Sequence, residues 1–313
     1  KITIKIWATN NNNRKNALKL VKFILYRKPE YFDLSLKLFY INYLEIAKAT
    51  NWSSVGKIKD LQTDIISILS LDYQRAYITI FTFIRKLCLQ LRTTVNDKKA
   101  NSIKNIYNWQ FINSINLWSR VVCEYYNKKN CEINLLAYPL IQTILGVIRL
   151  NLVDTFYPLR LYLLKSLNQI SMISGIYIPI ANYIFEIIES THFTKFYKEK
   201  VNESKLDYNV NLKVKKEEFK NYNLVLSLLE ENLDILTEFL AINSYKYSFP
   251  DISHTVIFNL KKIQKNMMEK TFKDMIRKLI EKIQANSEFV EKKRAAVSLL
   301  DKEEMNKLEG ILY

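Results

Sequence analysis

Nucleophilic catalysis needs a base held beside a hydroxyl or thiol, and this sequence of 313 residues offers only His192 and His254 as imidazole bases. Neither stands in a Ser/His/Asp or Cys/His pattern, and His192 reads as a loop residue while His254 falls early in a helix. Cys88, Cys123 and Cys131 form no CxxC pair, so with two histidines they make no recognisable zinc motif. They read as small apolar core residues. The acid pairs Glu217/Glu218, Glu230/Glu231 and Glu303/Glu304 lie in charged helical or terminal stretches, where solvation accounts for them. Only 4 Gly and 5 Pro occur, which removes glycine-rich phosphate loops, dinucleotide-binding fingerprints and turn-dense β-sandwiches. The expectation is a non-enzymatic protein with no catalytic residue, metal, cofactor or small-molecule substrate.

Charge points instead to binding. There are 47 Lys plus Arg against 31 Asp plus Glu, a formal net charge of +16. Residues 1–99 hold 18 basic and 7 acidic side chains, residues 100–200 hold 10 and 6, and residues 201–313 hold 19 and 18, so the positive field belongs to the N-terminal third. Abundant Lys, Asn, Ile and Tyr is also what A/T-rich codon usage produces, so the distribution says more than the total. Within that third Lys1, Lys5, Arg14, Lys15, Lys19, Lys22, Arg27 and Lys28 cluster, and Lys57 with Lys59 extend the group. Two readings fit: solvated lysines, or a ridge facing RNA phosphates, with Lys15, Lys19, Lys22, Arg27 and Lys28 as the candidate RNA-facing set. Glu230, Asp234 and Glu238 recur at i, i+4, i+8 and share one helical face, either a wet surface or a docking stripe for a basic partner. Arg120, Arg149 and Arg160 sit in nearly uncharged runs. Each must reach an edge or pair with an acid or with helix-end carbonyls, as a structural clamp or as an interface anchor.

The elements that must hold these residues are helices. With 49% apolar and 13% aromatic residues the chain can bury a sizeable core. Apolar side chains recur in steps of four and three: Ala17, Leu20, Val21, Ile24; Tyr73, Tyr77, Ile80, Ile84, Leu87, Leu91; Phe111, Ile115, Trp118, Val122; Leu229, Leu233, Leu236, Leu240; and Phe272, Ile276, Leu279, Ile283. Pro29, Pro139, Pro158, Pro179 and Pro250 mark helix starts, where the missing N–H costs nothing. About twelve helices are expected, in an all-α solenoid of stacked antiparallel helix pairs of the armadillo or HEAT kind; a compact bundle is the alternative. The expected organisation is residues 1–189 as N-terminal and central helical repeats, 190–216 as a polar linker in which Tyr208–Val214 could be extended, and 217–313 as C-terminal repeats. Ser166–Phe185 carries no charge over 20 residues, yet its polar residues and Gly175 favour two buried helices over a membrane span. The chain opens on Lys1 without a Met or a presequence, which reads as an internal piece of something longer.

The same segments resemble the nucleolar complex protein 2 family. The words are YNWQF at Tyr107–Phe111, WSRVV at Trp118–Val122, YPLIQTILGVIRL at Tyr138–Leu150, YPLR at Tyr157–Arg160 and GIYIP at Gly175–Pro179. Upstream, Tyr40, Tyr43, Leu71, Asp72, Tyr73, Ala76, Tyr77, Ile84, Arg85, Leu91 and Arg92 fit, and downstream YSFP at Tyr247–Pro250 and NSEFVEKKR at Asn286–Arg294. The motif residues singled out as structural or interface positions are Trp109, Trp118, Arg120, Tyr138, Pro139, Arg149, Tyr157, Pro158, Arg160, Pro179 and Pro250. The resemblance implies a nuclear assembly factor for the large ribosomal subunit, found in nucleolus and nucleoplasm. It also implies armadillo or HEAT-like helices, and a heterodimer with nucleolar complex protein 1 and/or 3 that associates with pre-ribosomal RNA and other large-subunit assembly factors. No membrane enters that picture. Two departures stand out: NLVDTF between Leu150 and Tyr157 in place of a proline-containing turn, and IRKLC at Ile84–Cys88 in place of IRQLA. A transport adaptor of the HEAT type, binding peptide cargo without RNA, is the competing reading.

Overall fold

Short polar side chains start many of the helices. In the computed structural model, which describes residues 1–97, 100–150, 153–195, 197 and 210–295, the Oδ1 atoms of Asn51, Asp72 and Asn108 accept from the amides of Ser54, Arg75 and Phe111 at 2.9–3.0 Å. Each contact satisfies an amide that the first turn would otherwise leave open. Pro158 and Pro250 are second in their helices, Pro139 is third, Pro29 opens a 3₁₀ turn leading into a helix, and Pro179 lies two residues before one. Among the described residues there are twelve α-helices of eight residues or more and a single four-residue turn of helix, and no strand.

The described chain separates into two compact units, Lys1–Val153 with Ile173–Ile176, and Asp154–Met172 with most of the chain from Tyr177 onward. In the first, α1 (Ile2–Thr9) packs on α2 (Arg14–Arg27), and α3 (Phe32–Ala47) packs on α1, on α4 (Trp52–Leu69) and on α5 (Tyr73–Asn96). After the turn α6 (Ala100–Ile103), α7 (Trp109–Tyr125) lies against α3 and α8 (Ala137–Leu150), and α8 lies against α5. Connections of four residues, at 10–13 and 48–51, force α2 back along α1 and α4 back along α3. The core is tied at one aromatic point: Trp118 is fully buried, its ring stacked on Phe83 of α5 at 5.6 Å and tilted against Tyr40 of α3 at 5.1 Å. A polar seam runs beside it. Tyr43 Oη donates to the Asn113 carbonyl at 3.0 Å, Gln62 Nε2 donates to Tyr43 Oη at 2.8 Å, and Tyr125 Oη donates to the Ile66 carbonyl at 2.6 Å.

The second unit contains α9 (Tyr157–Ser174) as far as Met172, α10 (Ala181–Ile188), α11 (Tyr222–Asn243), α12 (Phe249–Asn266) and α13 (Lys270–Arg294). Here α12 and α13 pair along their length, and α11 packs against both α10 and α13. The uncharged run Ser166–Phe185 is two helices, as expected, because Gly175 turns the chain at φ 69. Among the described residues the stretch long and apolar enough to cross a membrane is instead Glu132–Leu150, half of it buried, with Leu140, Ile144, Val147 and Ile148 in the first unit's core.

Three expectations need correction or restriction. On α2 the buried face is Ala17, Val21 and Leu25, while Leu20 and Ile24 are exposed. This helix is at the edge and packs mainly on α1, so only one narrow stripe is covered. On α13 Ile280 is buried where the spacing favours Leu279. Much of the segment 190–216, including the start of Tyr208–Val214, lies outside the described residues, and the described part has no strand. There the Val214 amide donates to the Thr155 carbonyl at 2.8 Å.

Candidate functional site

Residues 1–29 contain no Asp or Glu, so the surface of α1 and α2 is positive unless other helices bring carboxylates to it. One helix does. Asp60 and Asp64 of α4 receive Arg14, with Nη1 to Asp60 Oδ2 at 2.7 Å and Nε to Asp64 Oδ2 at 3.3 Å, and Trp7 Nε1 donates to the same Asp64 Oδ2 at 2.9 Å. Arg14 is thereby a tether between the hairpin and α4. The candidate residues beyond it are placed differently. Lys15, Lys19 and Lys22 succeed one another at steps of four and three along α2, the first two exposed and Lys22 half-buried. Arg27 lies over the Phe23 ring at 5.5 Å and Lys28 over the Tyr31 ring at 5.9 Å, both exposed. Lys57 Nζ reaches the Thr9 carbonyl at 3.4 Å, bringing α4's basic end to the turn between α1 and α2. The lysine stripe can attract a polyanion through charge, without reading sequence.

Three of the motif residues, Trp118, Arg120 and Arg160, join one helix to another. Arg120 reaches from α7 to α4, where Nη1 donates to Gln62 Oε1 at 2.6 Å and the Lys59 carbonyl at 3.2 Å, and Nη2 to Thr63 Oγ1 at 3.1 Å. Arg160, buried on α9, donates from Nη2 to Glu186 Oε2 of α10 at 2.6 Å. Both arginines therefore act as clamps. Trp118 and Pro250 are buried, Tyr157 and Pro158 begin α9 from buried positions, and half-buried Trp109 begins α7. Pro139 gives its carbonyl to Thr143 Oγ1 at 2.7 Å. Tyr138, Arg149 and Pro179 face outward.

The acidic stripe is less uniform than its spacing suggests. Asp234 is exposed and Glu230 half-buried, while Glu238 Oε2 accepts from Asn168 Nδ2 of α9 at 3.2 Å. Beside it Lys165 of α9 pairs with Glu231. Part of this face thus serves packing between α9 and α11.

Catalytic arrangements are sparse. His192 Nε2 lies 2.8 Å from Asp154 Oδ2, and the imidazole stacks on Phe219 at 4.2 Å. Residues 38 apart in sequence gave no signal of this pair, and no Ser, Thr or Cys side chain joins it by a hydrogen bond among the described residues. Burial pushes the Cys123 thiol up to about 11, so at neutral pH it is protonated and a poor nucleophile. No group of three or more His, Cys, Asp or Glu that could hold a metal occurs among the described residues.

Comparison with known proteins agrees with the resemblance seen in the motif words. Nucleolar complex protein 2 of Drosophila melanogaster is 27% identical over 298 residues, covering 95% of this chain and 38% of its own length. Nucleolar complex-associated protein 2 of Arabidopsis thaliana is 29% identical over 306 residues, covering 96% of this chain and 39% of its own. Protein REBELOTE of Arabidopsis thaliana is 26% identical over 300 residues, covering 95% and 50%. The chain therefore spans about two fifths to one half of the length of these relatives. The Noc2p family pattern matches residues 30–310, all but the first 29 residues and the last three, and the chain belongs to the Noc2p family.

Proposed function

We propose that this chain is a non-enzymatic scaffold of large ribosomal subunit assembly, working in the nucleolus and nucleoplasm. In this reading it forms a heterodimer with a paralogous nucleolar complex protein, a homologue of protein 1 or 3, and associates with pre-ribosomal RNA and other assembly factors. The observation that carries it is the family match across residues 30–310, since relatives with the same long core are named as nucleolar complex proteins. Helices clamped by Arg120 in the first unit and by Arg160 in the second suit a scaffold role for each unit. The Lys15, Lys19 and Lys22 stripe, with Arg27 and Lys28 at its end, supplies the RNA-facing side by counterion release. Asp234, exposed on α11, would face a basic partner.

The test is a tagged pulldown from nuclear extract at moderate salt, with bound proteins identified and bound RNA sequenced. Recovery of a larger nucleolar complex protein together with large-subunit precursor RNA is the expected result. Recovery of peptide cargo or transport factors without ribosomal RNA would replace this reading by that of a helical adaptor.

A further inference from the structure

Helix α5 turns its buried side, with Ile80, Phe83, Ile84, Leu87 and Leu91, toward the core. On the opposite side Ile78, Phe81, Arg85, Leu89 and Arg92 recur at steps of three and four and share one outward face. The three apolar members are 63%, 43% and 48% exposed. Scattered apolar residues are ordinary on a protein surface, whereas these three line up along one face of a single helix.

Charge provides a second, independent observation. The 24 residues of α5 include no Asp or Glu, nor do the 14 of the adjacent α8. Arg75, at the start of α5, is tied to Asp72 and to the Pro29 carbonyl. Arg85 and Arg92, within the apolar row, meet no acidic partner among the described residues. The face thus offers apolar contacts and guanidinium forks whose carboxylates must come from elsewhere.

We infer that the outward face of α5, formed by Ile78, Phe81, Arg85, Leu89 and Arg92, docks an amphipathic α-helix of a partner protein whose apolar stripe is flanked by Asp or Glu. From Ile78 to Arg92 the helix rises about 21 Å, so a partner segment of about four turns matches it. Interleaved apolar and charged positions are how paired helices combine contact with selection of the partner. A second copy of this chain, docked α5 on α5, would set arginine against arginine. RNA would meet the arginines but gain little from Ile78 and Leu89, because nucleic-acid affinity comes from phosphate neutralisation and base contact.

The test places p-benzoylphenylalanine at Leu89 in the full chain within living cells, irradiates them and sequences the cross-linked product, with the same probe at exposed Thr237 of α11 as control. The expected product is a protein segment with acids at helical spacing beside apolar residues, captured from position 89 and not from 237. Arg85→Glu with Arg92→Glu should lower its yield at least tenfold with the far-UV circular dichroism unchanged. Lysine in place of the acids of the captured segment should restore it. A nuclease-sensitive RNA adduct, a cross-link to this chain itself, an acid-free segment, a yield indifferent to the charge reversal, or no adduct at all would each overturn the inference.

Discussion

Arg160 and Glu186 meet at 2.6 Å with unequal exposure: the arginine side chain is 2% exposed and the glutamate 47%. The guanidinium is held inside the second unit, and water reaches only its partner. Removing the partner leaves a buried cation, whereas removing the cation leaves a carboxylate that water can solvate. Glu186→Ala is expected to cost about 2 kcal/mol in urea unfolding, the scale of a hydrogen bond to a charged group. Arg160→Met, which keeps volume without charge, should cost less. The reverse order would show that the arginine contributes mainly through packing.

Trp118 joins α3, α5 and α7 through Tyr40 and Phe83. Trp118→Ala should destabilise the chain by about 3–5 kcal/mol, the usual cost of deleting a buried aromatic, and Trp118→Phe by less. Chemical denaturation followed by far-UV circular dichroism measures both. A loss under about 1 kcal/mol would remove Trp118 from the core.

Charge reversal at Lys15, Lys19 and Lys22 should weaken binding to a single-stranded homopolymer RNA and flatten its salt dependence. Three lost phosphate contacts reduce the slope of log K against log salt by about 2. The melting temperature should stay unchanged, because none of the three has an ion pair within the described residues. Equal slopes for the variant and the parent chain would move the RNA contact off α2.

Alkali should loosen the first unit. Burial raises the Cys123 thiol from 9.0 to about 11, and burial first, then neighbouring negative charge, raises the Tyr125 phenol from 10.0 to about 12. Both groups ionise more readily in the unfolded chain. Their contribution is therefore fully present below pH 9 and is lost as pH rises, first through the 9–11 window of Cys123 and then through 10–12 for Tyr125. Thermal melts from about pH 8 to about pH 11.5 should show falling stability, and Tyr125→Phe should make the fall shallower above about pH 10.

Much of this architecture is legible in the residues. Proline positions mark the helix starts, and the rows Phe111, Ile115, Trp118, Val122 and Leu229, Leu233, Leu236, Leu240 are all buried as their spacing predicts. Periodicity misleads on α2, where apolar residues occupy more of the circumference than the neighbours cover. Spacing alone does not say that Ala17, Val21 and Leu25 form the inner set. The arginines in apolar runs are conspicuous for a reason. Whether they clamp or protrude depends on Gln62, Thr63 and Glu186, residues 26 to 58 positions away along the chain. The pairing of His192 with Asp154, and the capture of Arg14 by Asp60 and Asp64, are tertiary coincidences of the same kind. Local pattern fixes which residues lie on a helix face, and only packing decides what meets them.

All four tryptophans, at 7, 52, 109 and 118, fall within Lys1–Val153, and none within the second unit. Excitation at the indole band therefore reports on one half of the molecule, while peptide-bond ellipticity reports on both. Trp7 and Trp118 are shielded from solvent and Trp52 is 72% exposed, so the emission combines a blue and a red component. A red shift that runs ahead of the ellipticity would time the opening of the first unit separately from the rest, with no dye attached.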